Sequence, residues 1–179
     1  MTKKEFKKCI KADFDNNFIS NQRHLKKFIL LLRKCEYYRE NKLVYYFYYL
    51  RYRHLEKKNL CSVPLFCFEE GISISHLCCI NINSNTKCGK NVRISQGVTI
   101  GSTNGSDLCP IIGDNVFIGP NACIIGNIEI ANDVCIGAGA VVVKDILEPG
   151  TTWGGVPAKK ISNNNSHSNL PIFFRRNIL

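Results

Sequence analysis

The stretch IGDNVFIGPNACIIGNIEIANDVCIGAGAVV, residues 112–142, decides the fold. Every sixth residue in it is a branched aliphatic: Ile112, Ile118, Ile124, Ile130, Ile136 and Val142. Four residues after each of the first five stands a small or β-branched apolar residue: Val116, Ala122, Ile128, Val134 and Ala140. Glycine follows the leading aliphatic at Gly113, Gly119 and Gly137. A period of six fits neither the 3.6 of a helix nor the alternation of an ordinary strand. It is the pattern of a parallel β-helix. Each hexapeptide lays down a short strand and a turn, and three close one coil of about 18 residues around a triangular core.

Upstream the same frame runs through Ile100, Ile94, Cys88 and Ile82, with companions Val98, Val92 and Thr86. Cys88 serves there as a small apolar filler. One further step back lands on His76. An imidazole in an apolar slot is costly unless its nitrogens find partners. Two readings stay open: a satisfied structural histidine in an irregular first coil, or a general base, since histidine titrates near neutral pH. The frame breaks once, at Ser106 inside GSTNGSDLCP (101–110). That segment lacks core residues and predicts an exposed loop of the kind that carries function. Ser102, Thr103, Asn104 and Asp107 either bind sugar hydroxyls or solvate a turn.

Residues 1–60 read as a basic α-helical region. Phe6, Ile10, Phe14 and Phe18 fall four apart, and Leu25, Phe28, Ile29, Leu32 and Cys35 form a second stripe. A third run, LVYYFYYLRYRHLEKK (43–58), is aromatic and basic throughout and shows no clear buried face. This region holds 16 Lys and Arg against 6 Asp and Glu, so the whole excess of +10 sits there. It favours an acidic partner (lipid surface, phosphorylated acceptor or nucleic acid), or it marks a solvated helical face. Pro64 and Gly71 lead into a repeat domain over 61–161, followed by a tail over 162–179. In that tail SNNNSHSN reads as a polar spacer, and PIFFRRNIL either docks or is mobile.

The start MTKKEFKKCIKAD has no apolar signal core, and no stretch approaches the roughly 20 apolar residues that cross a bilayer. The expectation is a cytoplasmic, reducing compartment with free thiols at the ten cysteines. No Cys-x-x-Cys pair with a matching second half argues for structural zinc. Nucleic-acid binding would explain the charge but lacks any recognisable motif.

ISISHLCCININ (72–83), ISQGVTIG (94–101), PIIGDNVFIG (110–119) and WGGVPAKKI (153–161) together resemble the hexapeptide-repeat acyltransferases. Within these, the chain looks like the serine-acetyltransferase-like branch associated with polysaccharide biosynthesis. The resemblance covers residues 64–161 and implies a mainly β fold, a left-handed parallel β-helix behind an N-terminal α-helical segment. It also implies a homotrimer with active sites between subunits, acetyl-CoA as co-substrate, no metal, and a hydroxyl acceptor. A three-histidine zinc site of the carbonic-anhydrase type is excluded by the single histidine in the coil. By the same resemblance His76 is the general base, and a backbone N–H near Gly101 steadies the oxyanion. Pro120, Ala138, Val143 and Lys144 line the pantetheine groove, and Lys159, with Lys160 beside it, meets the CoA phosphates.

Three departures shape the expected acceptor. The family's orienting aspartate, fifteen residues before the histidine, is Cys61 here, which leaves Glu69, Glu70 or a backbone carbonyl to orient His76. The Arg-His pair that grips the amino-acid acceptor is Leu108 and Cys109, ahead of Pro110, and an apolar pair cannot hold a carboxylate. The helical domain is also shorter than the family's. The expected function is therefore acetyl transfer to a hydroxyl of a sugar or glycan intermediate, small or lipid-linked. Peripheral contact of the basic N-terminus with the inner membrane face goes with it. Serine O-acetylation for cysteine synthesis is the alternative, and an inactive repeat scaffold or membrane-binding module is the third reading.

Overall fold

The computed structural model describes residues 1–17 and 23–171. Three helices precede the coil. α1 (Lys3–Asn16) starts with a capping box, in which Glu5 N donates to Thr2 Oγ1 at 3.2 Å and Thr2 N donates to Glu5 Oε2 at 2.6 Å. α2 (Arg23–Tyr37) buries the predicted stripe of Leu25, Phe28, Ile29, Leu32 and Cys35. α3 (Lys42–Lys58) is N-capped by Asn41, whose Oδ1 accepts from Val44 N at 3.3 Å. Its buried face is only Tyr52 and Glu56, one turn apart, while Leu43, Tyr46, Phe47 and Leu50 stay exposed. No helix among the described residues is long and apolar enough to cross a membrane.

The first predicted stripe is displaced. Phe6, Ile10 and Phe14 are only half-buried, and Phe18 lies outside the described residues. What α1 buries instead is polar: Asp13 and Asn16. The reason lies in the coil, whose first turn presents unpaired backbone groups at its open end. An open sheet edge needs cover, and the helices supply it with side chains. Asp13 Oδ1 accepts from Gly71 N (2.8 Å) and Ile72 N (3.0 Å). Asn17 donates to Ile72 O (2.8 Å) and accepts from Ile74 N (3.1 Å). Glu36 accepts from Phe66 N (2.7 Å), Glu56 from Val63 N (2.8 Å), and the Tyr52 hydroxyl donates to Val63 O. Arg33 locks the set together. Its guanidinium donates to Asp13 (2.8 Å), Glu36 (2.9 Å) and Phe68 O (2.9 Å). Burial opposes that charge, yet Asp13 and Glu36 outweigh it and hold the guanidinium above its ordinary pKa.

The coil is a three-sided prism of parallel strands. The first face stacks β1 (Ser73–Ile74), β4 (Arg93–Ile94), β7 (Phe117–Ile118), β10 (Cys135–Ile136) and β12 (Thr152–Gly154). The last of these is paired antiparallel with β13 (Lys159–Ser162). The second face stacks β2 (Asn81–Ile82), β5 (Thr99–Gly101), β8 (Cys123–Ile125) and β11 (Val141–Val142). The third stacks β3 (Lys87–Cys88), β6 (Ile111–Ile112) and β9 (Glu129–Ile130). The sixfold residues of 112–142 all point inward and are buried, each contributing roughly 1.5–3 kcal/mol of transfer free energy. Glycine is required where coils touch: a Cβ on Gly119 would sit 2.7 Å from Ala138 N.

Two expectations change. Ile74, not His76, fills the inward slot of the first coil, paired with Ile94. From Ile74 to Ile82 the chain takes eight residues where six would serve, so the turn bulges and His76 stands exposed while Leu77 and Ile80 are buried. Leaving the imidazole in solvent avoids the cost of burying it in an apolar slot. The tail also does more than space. Its 3₁₀ turn His167–Asn169 docks on the coil, where Ser166 N donates to Asp133 O at 3.0 Å and Leu170 is buried. This completes a polar ladder along the edge between third and first faces. Asn16 Nδ2 donates to Asn91 Oδ1 (3.2 Å), Asn91 Nδ2 to Asn115 Oδ1 (3.0 Å) and Asn115 Nδ2 to Asp133 Oδ1 (2.9 Å); His167 Nε2 lies 2.8 Å from Asp133 Oδ1. Most of PIFFRRNIL, residues 172–179, lies outside the described residues.

Candidate functional site

The edge between first and second faces carries His76, on the turn between β1 and β2. The turns of successive coils stack against one another there. Gly97 N donates to Cys78 O (3.1 Å), Asn121 N to Gln96 O (3.0 Å) and Gly139 N to Pro120 O (2.9 Å). Pro120 and Ala138 therefore share one stacked column of turns with His76, whereas Val143 and Lys144, expected in the same groove, follow β11 on the opposite edge of the second face. Arg93, on β4, reaches the same turn: its Nε donates to Ser75 Oγ at 3.2 Å, one residue before His76.

The edge between second and third faces carries the other half of the predicted set. Gly101 ends β5, is paired with Ile125, and its carbonyl accepts from Gly126 N at 2.9 Å. The loop that follows is exposed at Asn104 and Asp107 and half-exposed at Ser102. It is held by Asn85 Nδ2 donating to Asp107 O at 3.0 Å. Leu108 is 58% exposed and Cys109 is buried at 6%. Val143 lies on this edge too. With Lys144, Trp153, Pro157, Lys159 and Lys160 it lines a cleft of about 320 Å³ at the C-terminal end of the coil. Four of the six predicted cofactor residues thus come together. Lys160 is ion-paired with Glu148, whereas Lys159 is exposed and makes no ion pair among the described residues. A cationic cleft with an aromatic wall fits the polyanionic nucleotide end of CoA.

Within one chain His76 and Gly101 stand on opposite edges of the second face. The expected orienters of His76 sit elsewhere. Glu70 accepts from Lys8 at 2.8 Å and lies 3.7 Å from Lys90, on the far side of β1, with Glu69 beside it. Cys61 is buried, and its Sγ donates to Asn59 O at 3.1 Å. Sequence reasoning missed Arg93 because it occupies an outward strand position, where the repeat places no constraint on residue type.

Residues 109–144 match the family model for the bacterial transferase hexapeptide (six repeats). That match spans 36 of the chain's 179 residues. Serine acetyltransferase 3, mitochondrial, of Arabidopsis thaliana is 42% identical over 106 residues, 56% of this chain and 27% of that relative. The chain thus spans about a quarter of that relative's length. The crystal structure of Neisseria gonorrhoeae serine acetyltransferase in complex with serine aligns with a TM-score of 0.67 at 28% identity, covering 89% of this chain and 70% of that one. Serine acetyltransferase from Brucella abortus strain S19, in complex with coenzyme A, aligns with a TM-score of 0.70 at 24% identity, covering 90% and 68%. The hexapeptide coil shares their fold, a left-handed β-helix behind N-terminal helices.

These relatives overturn the expected sugar or glycan acceptor, since each of them is a serine acetyltransferase. The polysaccharide-biosynthesis branch, the lipid-linked acceptor and the membrane contact find no support among them. That expectation rested on Cys61, on Leu108 with Cys109, and on the short helical region. Arg93 places a guanidinium beside the His76 turn from a different strand.

Proposed function

We propose that the chain is an acetyl-CoA-dependent O-acetyltransferase acting on the side-chain hydroxyl of L-serine. The observation that carries this reading is His76, exposed on an edge turn of a hexapeptide coil with Arg93 at its flank. Acetyl-CoA supplies an acetyl group already activated as a thioester. His76 takes the proton from the serine hydroxyl as its oxygen attacks the thioester carbonyl. The C–S bond breaks, and the imidazolium returns the proton to the departing CoA sulfur. Arg93 holds the serine carboxylate by a charge-assisted hydrogen bond, the role that Leu108 and Cys109 cannot fill. Trp153, Lys144 and Lys159 hold the nucleotide end of CoA in their cleft.

The division of the candidate residues between two edges supports a homotrimer. A threefold axis sets the His76 edge of one copy against the loop edge of the next, so the base of one chain meets the backbone and loop of its neighbour. A cytoplasmic location goes with this reading.

The test is CoA release from acetyl-CoA with L-serine or with sugar acceptors, for the wild type and for Arg93→Gln. The reading expects serine-dependent release by the wild type. In the variant the KM for serine should rise by at least ~10-fold, about 1.4 kcal/mol, with acetyl-CoA affinity unchanged. Release with sugars and not with serine would refute it.

A further inference from the structure

On the His76 edge, the residue three before each inward position of the second face has a left-handed backbone: Cys79 (φ 53°), Gly97 (73°), Asn121 (58°) and Gly139 (66°). Glycine and asparagine take that conformation readily, whereas a cysteine there is uncommon. Such outliers cluster at functional sites. The bend brings Cys79 Sγ to 3.5 Å from Cys78 Sγ, with both residues exposed. The turn is tied to its surroundings on each side. Cys78 N donates to His76 O (3.0 Å), and Cys79 N donates to Asn59 O (3.3 Å). A second pair of thiols close to each other, Cys67 and Cys88, is sealed in the core, where burial pushes the Cys88 thiol well above its ordinary pKa.

We propose that Cys78 and Cys79 form a vicinal-dithiol modification site, closed to a disulfide by peroxide, and that closure displaces His76 and stops acetyl transfer. The loss of turnover rests on the serine O-acetylation reading, and the thiol chemistry does not. In the step each thiol gives up its hydrogen, the S–S bond forms, the peroxide O–O bond breaks, and two water molecules leave. Adjacent Cα atoms lie about 3.8 Å apart, short of the roughly 4.4–6.8 Å that a disulfide usually spans. Ring closure therefore has to distort the turn. A strained, exposed disulfide is easily reduced, which makes the change reversible. The distortion falls on Cys78, whose own amide is bonded to the His76 carbonyl. The Cys78 thiol is held above its ordinary pKa by its hydrogen bond to Cys79, so closure should quicken as pH rises. Cys61 lies near this turn, its thiol raised by burial and further by Cys78 and Cys79.

The test treats the full chain with hydrogen peroxide, maps its disulfides by mass spectrometry, and follows serine-dependent CoA release. The expected result is a disulfide joining Cys78 to Cys79 and a ~100-fold loss of turnover, the lower range for losing a general base, reversed by dithiothreitol. Cys79→Gly, which suits the left-handed turn, should retain turnover and resist peroxide. A map that leaves both thiols reduced, or that pairs either with Cys61, overturns the site. A Cys78–Cys79 disulfide with undiminished turnover overturns its link to His76. If the reduced protein shows no serine-dependent turnover, the O-acetylation reading fails alone and the disulfide map still decides the modification site.

Discussion

In the coil, Ile94, Ile118 and Ile136 stack in one buried column along the first face, and each successive turn repeats the one before. Where the helices meet that coil, its backbone groups are partnered by Asp13, Asn17, Arg33, Glu36 and Glu56, buried side chains that follow no period and stand beside the apolar stripe of α2. One region is specified by repetition of apolar volume, the other by single polar residues matched to particular backbone groups. The difference follows from the end of the stack. A coil inside it finds its partners in the next coil, while the first coil has no predecessor and takes its partners from side chains.

The largest effect that could break this contrast is at Arg33. Arg33→Ala leaves Asp13 and Glu36 buried without their cation and should cost about 3–5 kcal/mol, read as a fall in the urea midpoint. Loss below about 1 kcal/mol would show that the polar cluster does not hold the helices to the coil. Next comes the coil itself: Ile124→Ala should cost about 3 kcal/mol through lost transfer and a residual cavity, again by urea titration. A smaller step is Asn17→Ala, which strips the side-chain partners of Ile72 O and Ile74 N and should cost about 1–3 kcal/mol. Hydrogen exchange at the Ile74 amide should rise with it, while exchange in β7 stays unchanged. The smallest effect has the opposite sign. Thr86 occupies an inward companion position with its Oγ1 buried and unpartnered among the described residues, so Thr86→Val should raise stability by about 1 kcal/mol. A destabilised Thr86→Val would mean that the hydroxyl has a partner the coil conceals.

The same contrast explains what could be read from the chain. Ile112 to Val142 announce the coil because a stacked repeat constrains every sixth residue alike. The sixfold frame lands on His76, two residues past the true inward residue Ile74, because a periodic frame cannot register a turn lengthened from within. The α1 stripe misleads, since amphipathic patterns count apolar residues and what α1 buries is Asp13 and Asn16, followed by Asn17 at its C-cap. At the candidate site, the motifs led to His76, Lys144 and Lys159. Arg93 and the left-handed Cys79 were invisible, because an outward strand position and a backbone angle leave no spacing to detect. Leu108 and Cys109 show the converse hazard: two residues missing from an expected grip say nothing of a guanidinium supplied by another strand.

The most direct measurement is kcat for His76→Ala with L-serine, alongside calorimetric binding of acetyl-CoA. With His76 as base, kcat should fall by about 10²–10⁴-fold while acetyl-CoA affinity and the melting temperature stay at wild-type values. Turnover within a few fold of the wild type would contradict the account.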